Sequence, residues 1–282
     1  MGNLVSATDL ADAVYHGRGG TLIGCYWRPK EHEGRQKFTS EHIPTAHYCD
    51  PQTALAGVPG PADGRNPLPD PDILSRWWER WGVRIDRPVT VYDEGRGLYA
   101  ARAWWVLRWA GLRDVKILDG GLATWLNKDY RVLGGPGNLA HACTVRVNPG
   151  QMPVATLEEV VDAGPDVILI DTREPSRYAG EREVLDLKAG HIPGAINLPN
   201  RDLLNEDCTF RSPEEIRERL AREGITPDTP SENMIIYSGS GNHSAQVIAA
   251  MEEAGFQLPR HFVGGWSQWC ATPALPVERG RQ

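Results

Sequence analysis

The sequence predicts an α/β fold in two tandem domains, each a mostly parallel sheet flanked by helices. Three observations predict it: short β-rich runs alternate with helical patterns, three motifs recur in the same order in both halves, and 282 residues approach two domains of ordinary size. The recurrence is specific. His42-Ile43-Pro44-Thr45-Ala46 is answered by His191-Ile192-Pro193-Gly194-Ala195. Val89 to Tyr92, followed by Asp93-Glu94-Gly95-Arg96-Gly97, is answered by Met234 to Tyr237, followed by Ser238-Gly239-Ser240-Gly241, with Tyr92 and Tyr237 in register. Leu118-Asp119-Gly120-Gly121 with Trp125 is answered by Val263-Gly264-Gly265-Trp266 with Trp269. A duplicated domain explains three anchors that keep their order.

The elements follow along each copy. In the first, Val89–Tyr92 and Val115–Leu118 read as strands with a helix between them. In the second, TLEEVVDAG opens a helix and Val167–Ile170 is a short apolar strand. SPEEIRERLAREG is a helix with Pro213 in its first turn, and Met234–Tyr237 is the next strand. Strands joined through helices imply crossover connections and a sheet covered on both faces. The glycine- and proline-dense stretch from Leu133 to Asn138, irregular as far as Gly150, reads as a linker. The expected division is 1–132, a linker over 133–152, and 153–282.

Composition narrows the function. Hydrophobic residues at 40% and charged residues at 24% fit a globular chain. A net charge of −7 argues against a nucleic-acid surface and for small-molecule or protein partners. The N-terminus lacks a basic region followed by an apolar stretch, and no apolar run is long enough to span a bilayer, so a cytoplasmic, unanchored protein is expected. Five scattered cysteines, none in a C-x-x-C pair, fit neither a disulfide framework nor a zinc site. Ten tryptophans, six of them at positions 77, 78, 81, 104, 105 and 109, are expected to pack helices rather than cage a ligand.

The turn Ser238-Gly239-Ser240-Gly241-Asn242-His243 is the chemical focus. It joins a strand to a helix beginning near Ser244, which points backbone N–H groups and a helix N-terminus at one small volume and favours an anion there. Ser238, first in the turn, is expected to face that volume.

With the repeat in view, the chain resembles the tandem-domain rhodanese sulfurtransferases from about Leu4 to Val277. The resemblance rests on Asp171-Thr172-Arg173, Arg177-Tyr178, Gly190 to Ala195, the loop from Ser238, and Gly264-Gly265-Trp266. It implies two rhodanese-like domains, the first catalytically silent with Asp93 at the loop position, the second with an active-site loop at 238–243 in a cleft bordered by the N-terminal domain. It further implies transfer of a sulfane sulfur from thiosulfate or 3-mercaptopyruvate. A loop cysteine would carry it as a persulfide to cyanide, a thiol or a protein acceptor, with no metal or organic cofactor. Carried onto this sequence, the resemblance assigns Arg177, and more loosely Arg182, to the donor's anionic group, since a planar guanidinium suits an oxyanion. Gly239, Gly241, Asn242 and His243 complete the binding loop. Ser240 is implied to act with His42 and an acid, Glu31 or Glu33; the alternative for His42 is a hydrogen bond that fixes its own turn. Asn242 and His243 depart from the family's usual valine and threonine. The Gly239-Ser240 pair tilts the donor toward 3-mercaptopyruvate.

Ser238 departs from the pattern at the nucleophile itself. An alcohol ionises far less readily than a thiol, and oxygen does not hold a sulfane sulfur as a stable persulfide. The chain as written is expected to bind donors without turnover. Two origins stay open: a substituted native cysteine, favoured by the intact remainder of the loop, and a natural pseudoenzyme. Asp171 with Arg173 reads as a structural ion pair at the strand end, and His191 as fixing the turn before Pro193. A rival class, a dinucleotide-binding oxidoreductase, rests on Gly95-Arg96-Gly97-Leu98-Tyr99-Ala100 with Asp119 beyond it. A serine hydrolase fails on spacing, because Ser240 lacks glycine two residues to either side.

Overall fold

The computed structural model describes residues 2–30, 32–139 and 143–280. The chain divides into two compact units. The first comprises the chain up to Gly57, Pro69–Gln151 and Glu206–Thr209, the second Val58–Leu68, Met152–Asn205 and the chain from Phe210 onward. Among the described residues no helix is long and apolar enough to cross a membrane.

The first unit contains strands β1 (Leu4–Val5), β2 (Thr21–Cys25), β3 (Ala46–Cys49), β4 (Val89–Tyr92) and β5 (Val115–Leu118), parallel and ordered β1-β5-β4-β2-β3. Its helices are α1 (Ala7–Tyr15), α2 (Glu33–Ser40), α3 (Pro51–Ala54), α4 (Pro71–Trp81), α5 (Leu98–Trp109) and α6 (Gly121–Asn127). The second unit contains β6 (Ile168–Asp171), β7 (Ile196–Asn197), β8 (Met234–Tyr237) and β9 (Arg260–Phe262), parallel in the order β7-β6-β8-β9. Its helices are α7 (Leu157–Val161), α8 (Pro175–Tyr178), α9 (Pro213–Ala221), α10 (Asn242–Glu253) and α11 (Gly265–Ala271). The orders superpose strand for strand, and the place of β1 is taken by a single parallel bridge from Val154 to His261.

Local chemistry sets the ends. Thr156 and Ser212 form reciprocal capping boxes with Glu159 and Glu215, and Pro213 occupies the first turn of α9, where its missing N–H costs nothing. Helix α5 buries nine of its residues, Trp104 and Trp105 among them, and α10 is buried from Ser244 to Met251. Eight of the ten tryptophans, all but Trp27 and Trp77, are buried, which bears out packing as their role.

The recurring motifs are the same joint built twice. The Tyr92 phenol accepts from the N–H of Ile43, and that of Tyr237 from the N–H of Ile192, both at 3.2 Å. His42 stacks on Phe38 and His191 on Tyr178, with interplanar angles of 7° and 9°. Their Nδ1 atoms lie 2.9 and 2.8 Å from the carbonyls of those same aromatic residues.

The division differs from the expected one. Within the expected linker, Leu133–Leu139 and Cys143–Gln151 go with the first unit and Met152 with the second: Leu133 and His42 exchange both backbone hydrogen bonds, and Asn138, Asn148 and Gln151 donate to Ala46, Ala110 and Trp109. Glycine and proline mark irregular backbone, and that backbone still has to satisfy its polar groups. Val58–Leu68 goes with the second unit and Glu206–Thr209 with the first.

Candidate functional site

Strand β8 delivers Ser238 to the base of α10. Gly241, at φ 85°, is the left-handed residue from which the helix starts. The Ser238 carbonyl accepts from Trp266 N at 2.8 Å and the Gly239 carbonyl from Ser267 N at 3.0 Å. A Cβ on Gly265 would lie 2.2 Å from the Ser238 oxygen, so this close approach requires glycine. Ser238 is fully buried rather than facing an open volume. Its Oγ accepts from Gly241 N at 2.9 Å and lies 3.1 Å from Ser244 Oγ, which lies 2.7 Å from His261 Nε2. Sequence reasoning missed this hydroxyl–hydroxyl–imidazole chain. Ser244 sits six positions beyond Ser238 with no spacing rule to connect them, and His261 comes from β9.

Above the loop lie arginines. A Cβ on Gly239 would be 2.9 Å from Arg65 Nη2 and 3.6 Å from Arg177 Nη1. Arg177 Nη2 bonds Glu183 at 2.8 Å and Asp186 at 2.9 Å, and Arg65 Nη1 is paired with the other oxygen of Asp186. Burial, then the neighbouring Arg177, draws the Arg65 pKa down from the ordinary arginine value. Beneath them Asp171 and Arg173 form the expected structural pair, fully buried, with Nη2 to Oδ2 at 2.6 Å and the guanidinium 4.7 Å from the Trp266 ring.

The corresponding loop of the first unit is closed on itself. The Asp93 carboxylate accepts from the N–H groups of Gly95 and Gly97 at 2.9 Å, Tyr99 at 3.0 Å and Ala100 at 3.3 Å. Burial pushes its pKa up while the four donors pull it down, and burial dominates. This corrects the dinucleotide reading: the amides that would cradle a pyrophosphate are taken by the protein's own side chain.

The family model for the rhodanese-like domain matches residues 28–128 and 154–272. The chain belongs to the rhodanese-like family. It is 38% identical over 260 residues to a probable 3-mercaptopyruvate sulfurtransferase of Pseudomonas aeruginosa, covering 88% of this chain and 87% of that one. It is 34% identical over 281 residues to a putative thiosulfate sulfurtransferase of Mycobacterium tuberculosis, covering 98% and 97%. Among solved structures it resembles the 3-mercaptopyruvate sulfotransferase SseA of Escherichia coli, with a TM-score of 0.81 and 29% identity over 95% of this chain and 100% of that one.

Within this rhodanese-like pair the other expected site residues fall into two groups. Arg177, Gly239, Ser240, Gly241, Asn242 and His243 gather at the second loop. His243 is partly buried, and burial together with Arg177 pushes its pKa down to about 4, so it is neutral at pH 7. Arg182 is exposed, and its backbone N–H donates to Ser176 O; the neighbouring side chains turned toward the arginines are Glu183 and Asp186. Ser240 Oγ receives its hydrogen bond from Asn66 Nδ2 at 2.9 Å. His42 is 3% exposed, with Nδ1 and one ring face taken by Phe38 in the first unit. Glu33 opens α2 and pairs with Lys30 at 3.5 Å; Glu31 lies outside the described residues. Arg65 and Asn66 were not anticipated. Their segment, between α3 and α4, is answered in the second copy by the stretch between the turn Asn200–Leu203 and α9, of which Glu206–Thr209 goes with the first unit; the two stretches share no sequence motif, so the correspondence shows only in the fold.

Proposed function

We propose that the second rhodanese-like loop binds the anionic sulfur donor of a sulfurtransferase reaction, 3-mercaptopyruvate or thiosulfate. A cysteine at position 238 would carry the sulfane sulfur to cyanide, a thiol or a protein acceptor. The observation that carries this reading is the convergence of Arg177 with the glycine loop at the start of α10, where guanidinium N–H groups and a helix N-terminus favour an oxyanion. In such a site a thiolate attacks the donor's outer sulfur. The bond from that sulfur to carbon or to the second sulfur breaks, and the electron pair leaves with sulfite or with the enolate of pyruvate, which takes up the proton of the donor's thiol. The acceptor then attacks the persulfide and releases the thiolate. Ser238 removes the step that stores sulfur and leaves the donor site in place.

The Ser238→Cys variant tests the reading. Exposure to 3-mercaptopyruvate or thiosulfate should add the mass of one sulfur to the loop peptide, and cyanide should discharge it as thiocyanate. A variant that neither gains sulfur nor forms thiocyanate overturns the catalytic reading. The second reading is a natural pseudoenzyme that binds sulfur anions without turnover. One observation favours it: the Ser238 hydroxyl is built into the chain through Ser244 to His261, where a thiol is a weaker partner.

A further inference from the structure

The segment Val58–Leu68 is fixed to the second unit on both sides of Arg65. Gly60 and Gly64 exchange backbone hydrogen bonds at 3.1 and 2.8 Å, closing a tight turn. Gly64, at φ 83°, is so close to α11 that a Cβ would sit 2.7 Å from the Gly264 oxygen. Arg65 N donates to Ser267 Oγ at 3.0 Å, Asn66 holds Ser240, and Gln268 holds the Ala62 carbonyl. A backbone pinned this way aims the Arg65 side chain.

Its guanidinium divides its work as that of Arg177 does. Arg65 Nη1 and Arg177 Nη2 face Asp186, while Arg65 Nη2 and Arg177 Nη1 face Gly239. Two guanidinium groups side by side repel, and a carboxylate between them offsets that repulsion. Asp186 fills this place with a side chain 2% exposed. Glu183 fixes the turn that presents it, its Oε1 accepting from the N–H groups of residues 184, 185 and 186 at 3.0, 2.8 and 3.0 Å.

We infer that Arg65 is a second donor-binding residue, forming with Arg177 a clamp for one carboxylate group, and that Asp186 sets the clamp's charge and thereby its choice of anion. The inference rests on the donor-site reading above. Arg65 and Arg177 are balanced by Asp186 and Glu183, so the clamp is neutral before a ligand enters. A single carboxylate gains two charge-assisted hydrogen bonds there and adds one negative charge, whereas thiosulfate adds two beside buried Asp186 and Glu183. The favoured ligand class is a monoanionic carboxylate, such as a thiol-bearing keto acid.

Calorimetric titration of the chain with Ser238 intact, using pyruvate and thiosulfate as probes, tests this without turnover. Pyruvate should bind the tighter. Arg65→Ala should weaken both by about tenfold or more, the loss of one charge-assisted bond, when titrated at a temperature where circular dichroism shows the variant folded. Gly239→Ala, which places a methyl against Arg65 Nη2, should weaken both without altering Arg65 itself. Asp186→Asn should raise the ratio of thiosulfate to pyruvate affinity by about tenfold, a shift that a merely structural role would not produce. Binding within twofold of the parent in Arg65→Ala and Gly239→Ala, or no binding of either probe to the parent, overturns the clamp. An unchanged ratio in Asp186→Asn overturns the part assigned to Asp186. If Ser238→Cys transfers no sulfur while Arg65→Ala still loses binding, the catalytic reading fails and the clamp stands.

Discussion

The loops after β4 and β8 share one path and differ in what their first side chain does. In both, the first carbonyl accepts an N–H from the start of a helix, Leu122 to Asp93 and Trp266 to Ser238, each at 2.8 Å. Asp93 then reaches four N–H groups and serves as an internal anion, whereas the shorter Ser238 takes one, from Gly241. The first loop is also one residue longer, five from Asp93 to Gly97 against four from Ser238 to Gly241. A cavity of about 600 Å³ remains beside the first loop, where Arg28 is paired with Glu94. Scaffold and side-chain chemistry therefore separate: the shared turn is built twice, and in the first loop the Asp93 carboxylate takes the N–H groups that the Ser238 side chain is too short to reach.

The shared path breaks most directly at its glycines. A Cβ on Gly121 would lie 2.5 Å from the Asp93 oxygen and one on Gly265 2.2 Å from the Ser238 oxygen, with φ of 60° and 55°. Gly121→Ala and Gly265→Ala should each cost about 4 kcal/mol or more in denaturant melts, combining backbone strain with displacement of a buried carbonyl. Pyruvate binding should vanish only in Gly265→Ala. Near-normal stability in either variant would show that the two turns are not held alike.

Exchanging the first residues sharpens the contrast. Asp93→Ser removes the acceptor of four N–H groups, two of them on buried residues, and should destabilise the protein by about 2–3 kcal/mol after water recovers part of the loss. Ser238→Asp should give the second loop its own internal anion and abolish pyruvate binding while the fold persists. Retained binding would mean that a carboxylate does not silence this turn.

The second residue of each helix also differs, Tyr99 in α5 and His243 in α10. His243 takes up a proton near pH 6.5 when unfolded and only near 4 in place. Its contribution is therefore complete above pH 6.5 and is lost as pH falls through 6.5 toward 4. Between pH 7 and 5 the protein should lose at most about 2 kcal/mol through this group, less where water screens it. His243→Gln should flatten that slope in urea melts; an unchanged slope would assign the acid sensitivity elsewhere.

The sequence revealed what repeats and concealed what converges. The strands Val89–Tyr92, Val115–Leu118 and Met234–Tyr237 end where their apolar runs end, and the boxes at Thr156 and Ser212 are local signals that the fold keeps. Helix α10 starts at Asn242, two residues before the expected Ser244, because Gly241 supplies the turn. Arg177 and the loop glycines were legible through motifs. Arg65 was not, since its segment joins the second unit from the first half of the chain, and although Glu206–Thr209 makes the reciprocal exchange, the two stretches share no motif that would pair them in sequence. His261 stayed hidden in a short strand for the same reason.

The smallest effect bears on the origin of Ser238. Ser244 stands between Ser238 and His261, so Ser244→Ala should cost about 1 kcal/mol through the loss of a buried hydrogen-bonding hydroxyl. The same change in a Ser238→Cys background measures coupling. The bond from Ser244 to His261 is lost in both backgrounds, but a thiol is a weaker hydrogen-bond partner than the Ser238 hydroxyl, so less should be lost with cysteine if the chain is built around serine, leaving an interaction energy of about 0.5 kcal/mol. Additive effects would mean that Ser244 serves His261 regardless of what occupies position 238. Serine and cysteine would then be equally at home on this turn, and the structural support for a natural pseudoenzyme would be gone.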